Sequence, residues 1–454
     1  MQMILNVAAP VFWGVVVFSI LVFVHEGGHF LAARSCGVRV TEFFLGMPCR
    51  FNLHHASKRI GTKFGVTPIL LGGYAAICGM DPEVPAGAAR VLGEIHRRGT
   101  ASVADLAAAL DMSEDEVLDV CAFLLTWGSI APVYDASKGE GPQSRYYPST
   151  YAALPRDAQG LTIFDGRAFD RAHATKQGEP WQPPHGDDAF LAAERSRTYM
   201  GKGFWKRALM LVAGIAVNIL TGFILLIAVY SVVGVSTYAD VSTVGGVTAG
   251  GPAAQAGMVA GDQITAIDGA ETTSWEDILQ ALQDKKAGDE VSITYRHDGA
   301  DVERDITLDG EGHLGIEAST ENVRLNVLDA AKLSLGYIAQ TAQGVSQLLM
   351  PQHTMEVLDN STSVVGISVM SAQAAAEGPA TLLSFIALIS FSLGFMNLLP
   401  IPPLDGGKLL IEIIQAVARR PVPTRVQNVI SYIGVGLFGL LFIFLLRADI
   451  LRLI

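Results

Sequence analysis

Residues 10–29 read PVFWGVVVFSILVFVHEGGH, an uncharged apolar run that ends directly in His25-Glu26-Gly27-Gly28-His29. No basic region precedes the run and no small-x-small cleavage site follows it, so it reads as a retained membrane helix rather than a leader. HExxH on a helix sets two imidazoles at i and i+4 on one face, where both can bind one zinc ion, with the intervening glutamate beside it as general base. Ionisable groups at the end of a membrane helix are costly unless they serve a site. Gly27 and Gly28 each cost about 1 kcal/mol of helix propensity, which small volume or close backbone approach would offset.

The remainder of the 454 residues extends this reading. Half are hydrophobic and 17% charged, below the roughly 25% usual in soluble domains. A net charge of -12 provides no basic field for nucleic acid. Residues 208–234, 381–399 and 428–446 are further apolar runs long enough to cross about 30 Å of hydrocarbon. The basic residues cluster after span one (Arg34, Arg39, Arg50, Lys58, Arg59, Lys63), before span two (Lys202, Lys206, Arg207) and between spans three and four (Lys408, Arg419, Arg420, Arg425). Positive charge marks the cytoplasmic side, so residues 35–205 and 401–427 are expected inside, and both termini and 235–380 outside. Four scattered cysteines (Cys36, Cys49, Cys78, Cys121) then lie in or facing a reducing compartment and form no metal pair.

A third zinc ligand is needed beside an open position for water. Asp405, in NLLPIPPLDGG (397–407), is the best candidate: the segment follows span three at the depth of His25. Its three prolines free backbone groups, which a membrane tolerates only where protein or water satisfies them. Asn397 can donate and accept, and so could position a scissile carbonyl.

Two soluble segments lie between the spans. Residues 241–320 alternate strand-like runs with turns. Residues 328–350 have the mixed polarity of an amphipathic helix at the membrane surface. On the inner side, three helix signals over 86–127 precede two strand-like runs within 130–147, a winged-helix pattern, and 155–196 reads as a linker. From 86 to 156 nine acidic residues face six basic ones, and 113–127 carries Glu114, Asp115, Glu116 and Asp119 with no basic residue. Phosphate contacts dominate DNA affinity, so the insertion is read as a surface for protein recognition or substrate gating rather than for nucleic acid, with a spacer that has no partner as the alternative.

The sequence resembles the site-2 proteases, intramembrane zinc metalloproteases of peptidase family M50, and among them the bacterial regulator of sigma-E protease-like group. The resemblance rests on HEGGH, PILLGGYAAICGM (68–80), FWKRALMLVAGIAVN (204–218) and NLLPIPPLDGG, and covers roughly 1–80 and 195–454. It implies hydrolysis of peptide bonds within transmembrane segments of single-span proteins such as anti-sigma factors or signal-peptide remnants. His25, His29 and Asp405 would bind one Zn2+, with Glu26 as catalytic base. It implies further that residues 61–80 form a membrane-dipping β-hairpin whose edge, with Gly72, Gly73 and Tyr74, holds substrate as an added strand, and that Asn218 belongs to the substrate-binding set. Ile215 stands where the family usually has proline. GGPAAQAGMVAGDQITAIDG (250–269) resembles a single PDZ domain, which would act chiefly as a size filter.

The expected protein is thus an α-helical, multi-pass protein of the bacterial inner membrane, with four transmembrane helices, a membrane-associated β-hairpin, an extracytoplasmic PDZ domain and a cytoplasmic winged-helix-like insertion. Its parts are 1–80 (first span and hairpin), 81–157 (insertion), 158–205 (linker), 206–235 (second span), 241–320 (PDZ), 328–350 (amphipathic helix), 381–407 (third span and LDG motif) and 427–448 (fourth span). Its partners are the bilayer, transmembrane substrates and, at 86–156, a cytoplasmic protein. The alternative is a catalytically silent scaffold, against which the intact His25, Glu26, His29 and Asp405 set speaks.

Overall fold

The computed structural model describes residues 2–70, 72–141, 147–359, 361–420 and 422–453. Among them, four helices are long and apolar enough to cross a membrane, Val7–Ser35, Phe204–Val232, Pro379–Leu398 and Thr424–Asp449, each overlapping an expected span. The chain divides into one unit of residues 1–226 and 334–454 and a second of 227–333.

In the first unit, helix α1 (Gln2–Ser35) leads into strands β1 (Val40–Leu45), β2 (Leu53–Ala56), β3 (Lys63–Val66) and β4 (Gly73–Ile77), joined in the order β2-β3-β1-β4. This corrects the hairpin expected over 61–80. The strands β3 and β4 do not pair with each other; β1 lies between them, parallel to β3 and antiparallel to β4. The physical reason is VTEFFL (40–45): β-branched and aromatic residues make a strong strand, and it offers pairing edges to both neighbours. The hairpin is instead β2–β3, closed by a turn over Ser57–Thr62. Strand β4 is left as an edge.

The insertion follows as α2 (Ala88–Arg98), β5 (Thr100–Ser102), α3 (Val103–Leu110), α4 (Glu114–Thr126), β6 (Ile130–Val133) and β7 (Thr150–Ala153), with antiparallel sheet order β5-β7-β6. Ser102 caps α3, and Ser113 with Glu116 forms the capping box expected for α4. The return strand starts at Thr150, beyond the stretch expected to form it, and residues 142–146 lie outside the described residues. The expected linker carries helix α5 (Asp187–Arg195), whose Phe190 joins the core built by Leu92, Ile95, Leu106 and Leu124. The insertion therefore extends through 195.

A buried charge cluster ties α5 to the sheet. Arg39, just ahead of β1, donates to Glu194 at 2.7 Å and to Asp165 at 2.7 Å. Glu194 also accepts from Arg156 at 2.8 Å. Arg39, read from sequence as a topogenic charge, is 1% exposed. All four cysteines are free thiols.

Helix α6 (Phe204–Val232) meets α1 and the later helix Pro379–Leu398 at small residues, as membrane helices do. A methyl group on Gly28 would lie 2.5 Å from the Ala213 carbonyl oxygen, and one on Gly222 would lie 2.7 Å from that of Ala387.

The second unit holds β8 (Val235–Tyr238), β9 (Val244–Val247), α7 (Pro252–Gln255), β10 (Gln263–Ile267), β11 (Ala270–Glu271), α8 (Trp275–Leu282), β12 (Glu290–His297), β13 (Ala300–Thr307), β14 (Ile316–Ala318) and β15 (Thr320–Val323). Its main sheet runs β11-β10-β12-β13, with β14–β9 and β15–β8 as separate pairs. Ile264, Ile267, Ile278, Val291 and Ile293 fill its core.

Helix α9 (Val327–Gln347) covers most of residues 328–350. Helices α10 (Pro351–Asp359) and α11 (Val364–Glu377) were not foreseen. α11 packs along α1 so closely that a methyl group on Gly14 would fall 2.2 Å from Ser368 Oγ. Helix α12 (Pro379–Leu398), a Pro-rich turn, α13 (Asp405–Ala418) and α14 (Thr424–Leu453) complete the chain.

Candidate active site

The helical spacing of HEGGH puts both imidazoles of α1 against α6, and the turn after α12 brings Asp405 to meet them. His25 Nε2 lies 3.1 Å, and His29 Nε2 2.9 Å, from Asp405 Oδ2; the two Nε2 atoms are 3.2 Å apart. All three residues are buried. The fit to zinc can be tested on these separations. A tetrahedral ion with ligands at about 2.0–2.1 Å keeps its ligand atoms about 3.3 Å apart, close to the triangle observed.

The other ring nitrogens are engaged as a metal site requires. His29 Nδ1 donates to the Met210 carbonyl at 2.7 Å, which leaves Nε2 its lone pair. His25 Nδ1 lies 3.3 Å from Nδ2 of the fully buried Asn218, whose Oδ1 has no hydrogen-bond partner among the described residues. Turning the amide over would pair Oδ1 with Nδ1–H, the tautomer that leaves the His25 Nε2 lone pair for a metal. Ser390 of α12 donates to the Asn218 carbonyl at 2.8 Å and so fixes the backbone that carries this amide.

Glycines make room for the convergence. A methyl group on Gly214 would lie 2.4 Å from His29 Nε2. One on Gly406 would lie 2.1 Å from the Leu398 carbonyl oxygen, and one on Gly407 2.2 Å from the Pro402 nitrogen. These two glycines let the chain fold back from α12 into α13, with Asp405 in its first turn. Gly214, unlike Asp405, was not singled out in the sequence; its signal was a glycine one helical turn, four residues, before a family asparagine.

Glu26 points to the sheet. Its Oε2 accepts a hydrogen bond from the Ala75 backbone N–H of edge strand β4 at 3.0 Å. Gly73 sits beside it: a methyl group there would lie 2.8 Å from Val22 Cγ1 and 3.6 Å from Glu26 Cγ. Gly72 accepts from the Gly46 N–H and lies near Met47. Tyr74 stacks on Phe44 and donates to Glu42 at 2.9 Å. Asn397 donates within its own helix to the Leu393 carbonyl at 3.0 Å. Glu412 is held by Tyr199 at 3.1 Å and Arg207 at 3.1 Å, apart from the histidine pair.

The sequence matches peptidase family M50 over residues 13–441. The chain belongs to this family. Its activity is that of a site-2 protease-type zinc metalloendopeptidase working in the membrane. Among its relatives, the zinc metalloprotease RasP of Shouchella clausii is 29% identical over 97% of this chain and 98% of that protein. The regulator of sigma-W protease RasP of Bacillus subtilis is 26% identical over 97% of each. The probable protease eep of Enterococcus faecalis is 25% identical over 96% of this chain and 98% of that one. Among solved structures, the PDZ domain of an SdrC-like protein from Listeria monocytogenes is 34% identical over 18% of this chain and 93% of that one, with a TM-score of 0.17.

Proposed function

We propose that His25, His29 and Asp405 hold a single zinc ion and that Glu26 is the general base for hydrolysis of a peptide bond inside a substrate's transmembrane segment. The observation that carries this is the triangle of Nε2, Nε2 and Oδ2 atoms, with both Nδ1 atoms turned to partners of their own. A zinc ion there would polarise the scissile carbonyl and acidify water. Glu26, one residue from His25 on the same helix, takes the proton of the attacking water and delivers it to the leaving amine. Asn218 and the Met210 carbonyl orient the two rings.

The substrate reading rests on β4. A peptide running through the membrane must be unwound before a base and a metal can reach its backbone, and pairing with an edge strand does that. Gly73 and Ala75 share the free edge of β4 and flank Glu26, which supports this strand as the docking rail. Gly72 and Tyr74 then shape it from the β1 side, and Asn397 is assigned to the substrate carbonyl. Substrates of the anti-sigma-factor type are supported by the relative named for sigma-W regulation.

The positive clusters support a cytoplasmic position for 35–205 and 401–427 and an extracytoplasmic one for both termini and 235–380 of this inner-membrane chain. The order helix, strand, two helices, two strands over 88–153 supports a winged-helix insertion, with its acidic α4 favouring a protein partner. The strand and helix pattern of 235–323 supports a PDZ domain that screens substrates by size.

The test is cleavage of a single-span peptide by purified protein in liposomes. Chelation with 1,10-phenanthroline should abolish cleavage and zinc should restore it, while magnesium should not. Cleavage that survives complete zinc removal would reject the reading.

A further inference from the structure

The basic residues at the start of α6 divide into two kinds. Arg197 is committed to Glu194 at 3.1 Å and Arg207 to Glu412 at 3.1 Å. Lys202 and Lys206 lie between these arginines, and among the described residues neither ammonium has a carboxylate partner. They line a depression of about 450 Å3 together with Ser196, Gly203 and Trp205. Partial burial and the like charge of Lys206 lower the Lys202 ammonium from its ordinary value, against the weaker pull of Asp165.

The backbone adds to this field. The Gly203 carbonyl accepts from the Lys206 and Arg207 amides, at 3.0 and 3.2 Å. The amides of Phe204 and Trp205 open the 29-residue helix, ahead of its own hydrogen-bond ladder. Such a terminus favours phosphate. Trp205 identifies the source of that phosphate. It is 82% exposed at the head of an apolar helix long enough to cross the membrane, the place where amphipathic rings sit at headgroup level. A free anion in water would gain nothing from that ring, whereas a phospholipid meets it with glycerol and acyl chains.

We propose that this depression binds the phosphate of an anionic phospholipid headgroup through Lys202, Lys206 and the first amides of α6, with Trp205 against the lipid's glycerol region. The lipid would stand at the foot of the helix that carries Met210, Gly214 and Asn218, and so set its depth in the bilayer.

The experiment is native mass spectrometry of the full chain in micelles, titrated with phosphatidylglycerol and separately with phosphatidylcholine. The wild type should retain phosphatidylglycerol preferentially. Lys202→Gln/Lys206→Gln should lower that retention about tenfold or more, given roughly 1 kcal/mol per lysine near an anionic surface. Lys202→Arg/Lys206→Arg should keep it, which separates loss of the site from loss of the fold. Lys58→Gln/Lys63→Gln, which removes the same charge elsewhere, should leave it unchanged. Equal loss in that control, an unaltered Gln variant, or displacement of the lipid by millimolar inorganic phosphate would each overturn the proposal.

Discussion

Glu26 Oε2 accepts a hydrogen bond from the Ala75 backbone N–H at 3.0 Å, so the proposed base is tied to the strand proposed to receive the substrate. A substrate strand added along β4 competes for this N–H, and its arrival would free the carboxylate as the scissile bond approaches. Ala75→Pro deletes the N–H, and proline is tolerated on an edge strand. Cleavage of a single-span peptide should fall at least about tenfold, while zinc content stays at the wild-type level. Unchanged turnover would show that this bond has no part in catalysis.

Asp405 and Asn397 should separate cleanly. Asp405→Ala removes one corner of the triangle and should lower zinc content, measured by metal analysis after dialysis. Asn397→Ala should leave zinc in place and impair cleavage only, since its amide is bonded to the Leu393 carbonyl of its own helix. Equal zinc in wild type and Asp405→Ala would send the search for a third ligand elsewhere, and Glu412 would be a poor choice because Tyr199 and Arg207 already hold it.

Asn218 should act through His25. Asn218→Leu fills the same space without a partner for His25 Nδ1, and outer-shell changes of this kind cost 10–100-fold in metal affinity or activity. Zinc titration with a competing chelator should show that loss, and Asn218→Asp, which keeps an acceptor for Nδ1–H, should restore most of it.

The insertion should weaken in acid. Burial, reinforced by the Arg156 charge, lowers the His96 imidazole from about 6.5 to about 3, so the folded insertion keeps it neutral where an unfolded chain would protonate it. A depressed folded value means that the contribution is complete above about pH 6.5 and is lost as pH falls toward about 3. For Glu194, burial alone would raise the carboxyl, but Arg156 and Arg39 hold it well below its ordinary range. That contribution is present above the usual carboxylate range and goes at lower pH still. The melting temperature of the full chain should therefore fall between pH 6.5 and pH 5, before Glu194 titrates, and His96→Gln should flatten this slope. An identical slope in the variant would place the acid sensitivity elsewhere.

The spans were legible because lipid demands long uncharged runs, and nothing in a soluble fold imitates them so well. HEGGH and the return of LDGG to the same depth followed from helical spacing and basic-residue placement alone. The place of strand β1 was not legible: VTEFFL has the composition of a strand, but its role as the central partner of β3 and β4 depends on non-local pairing. Helix α5 was hidden in a segment rich in Pro, Gly and Asp, where Phe190 enters the insertion core and Trp181 and Leu191 pack against it. Arg39 looked like one more cytoplasmic charge, because only the fold reveals that Glu194 and Asp165 await it. Asn218 entered through resemblance to a family, and its contact with His25 appears only once α6 is laid against α1.

The central claim, a zinc peptidase acting within the membrane through Glu26, is tested most directly by mapping the products of a single-span substrate in liposomes by mass spectrometry. Wild-type protein and Glu26→Gln would be compared at equal zinc content. The account predicts one cut inside the apolar segment by the wild type and a loss of at least about 100-fold in the variant, the scale of general-base catalysis. Cuts confined to the water-exposed flanks of the substrate, or near-normal turnover by Glu26→Gln, would contradict it.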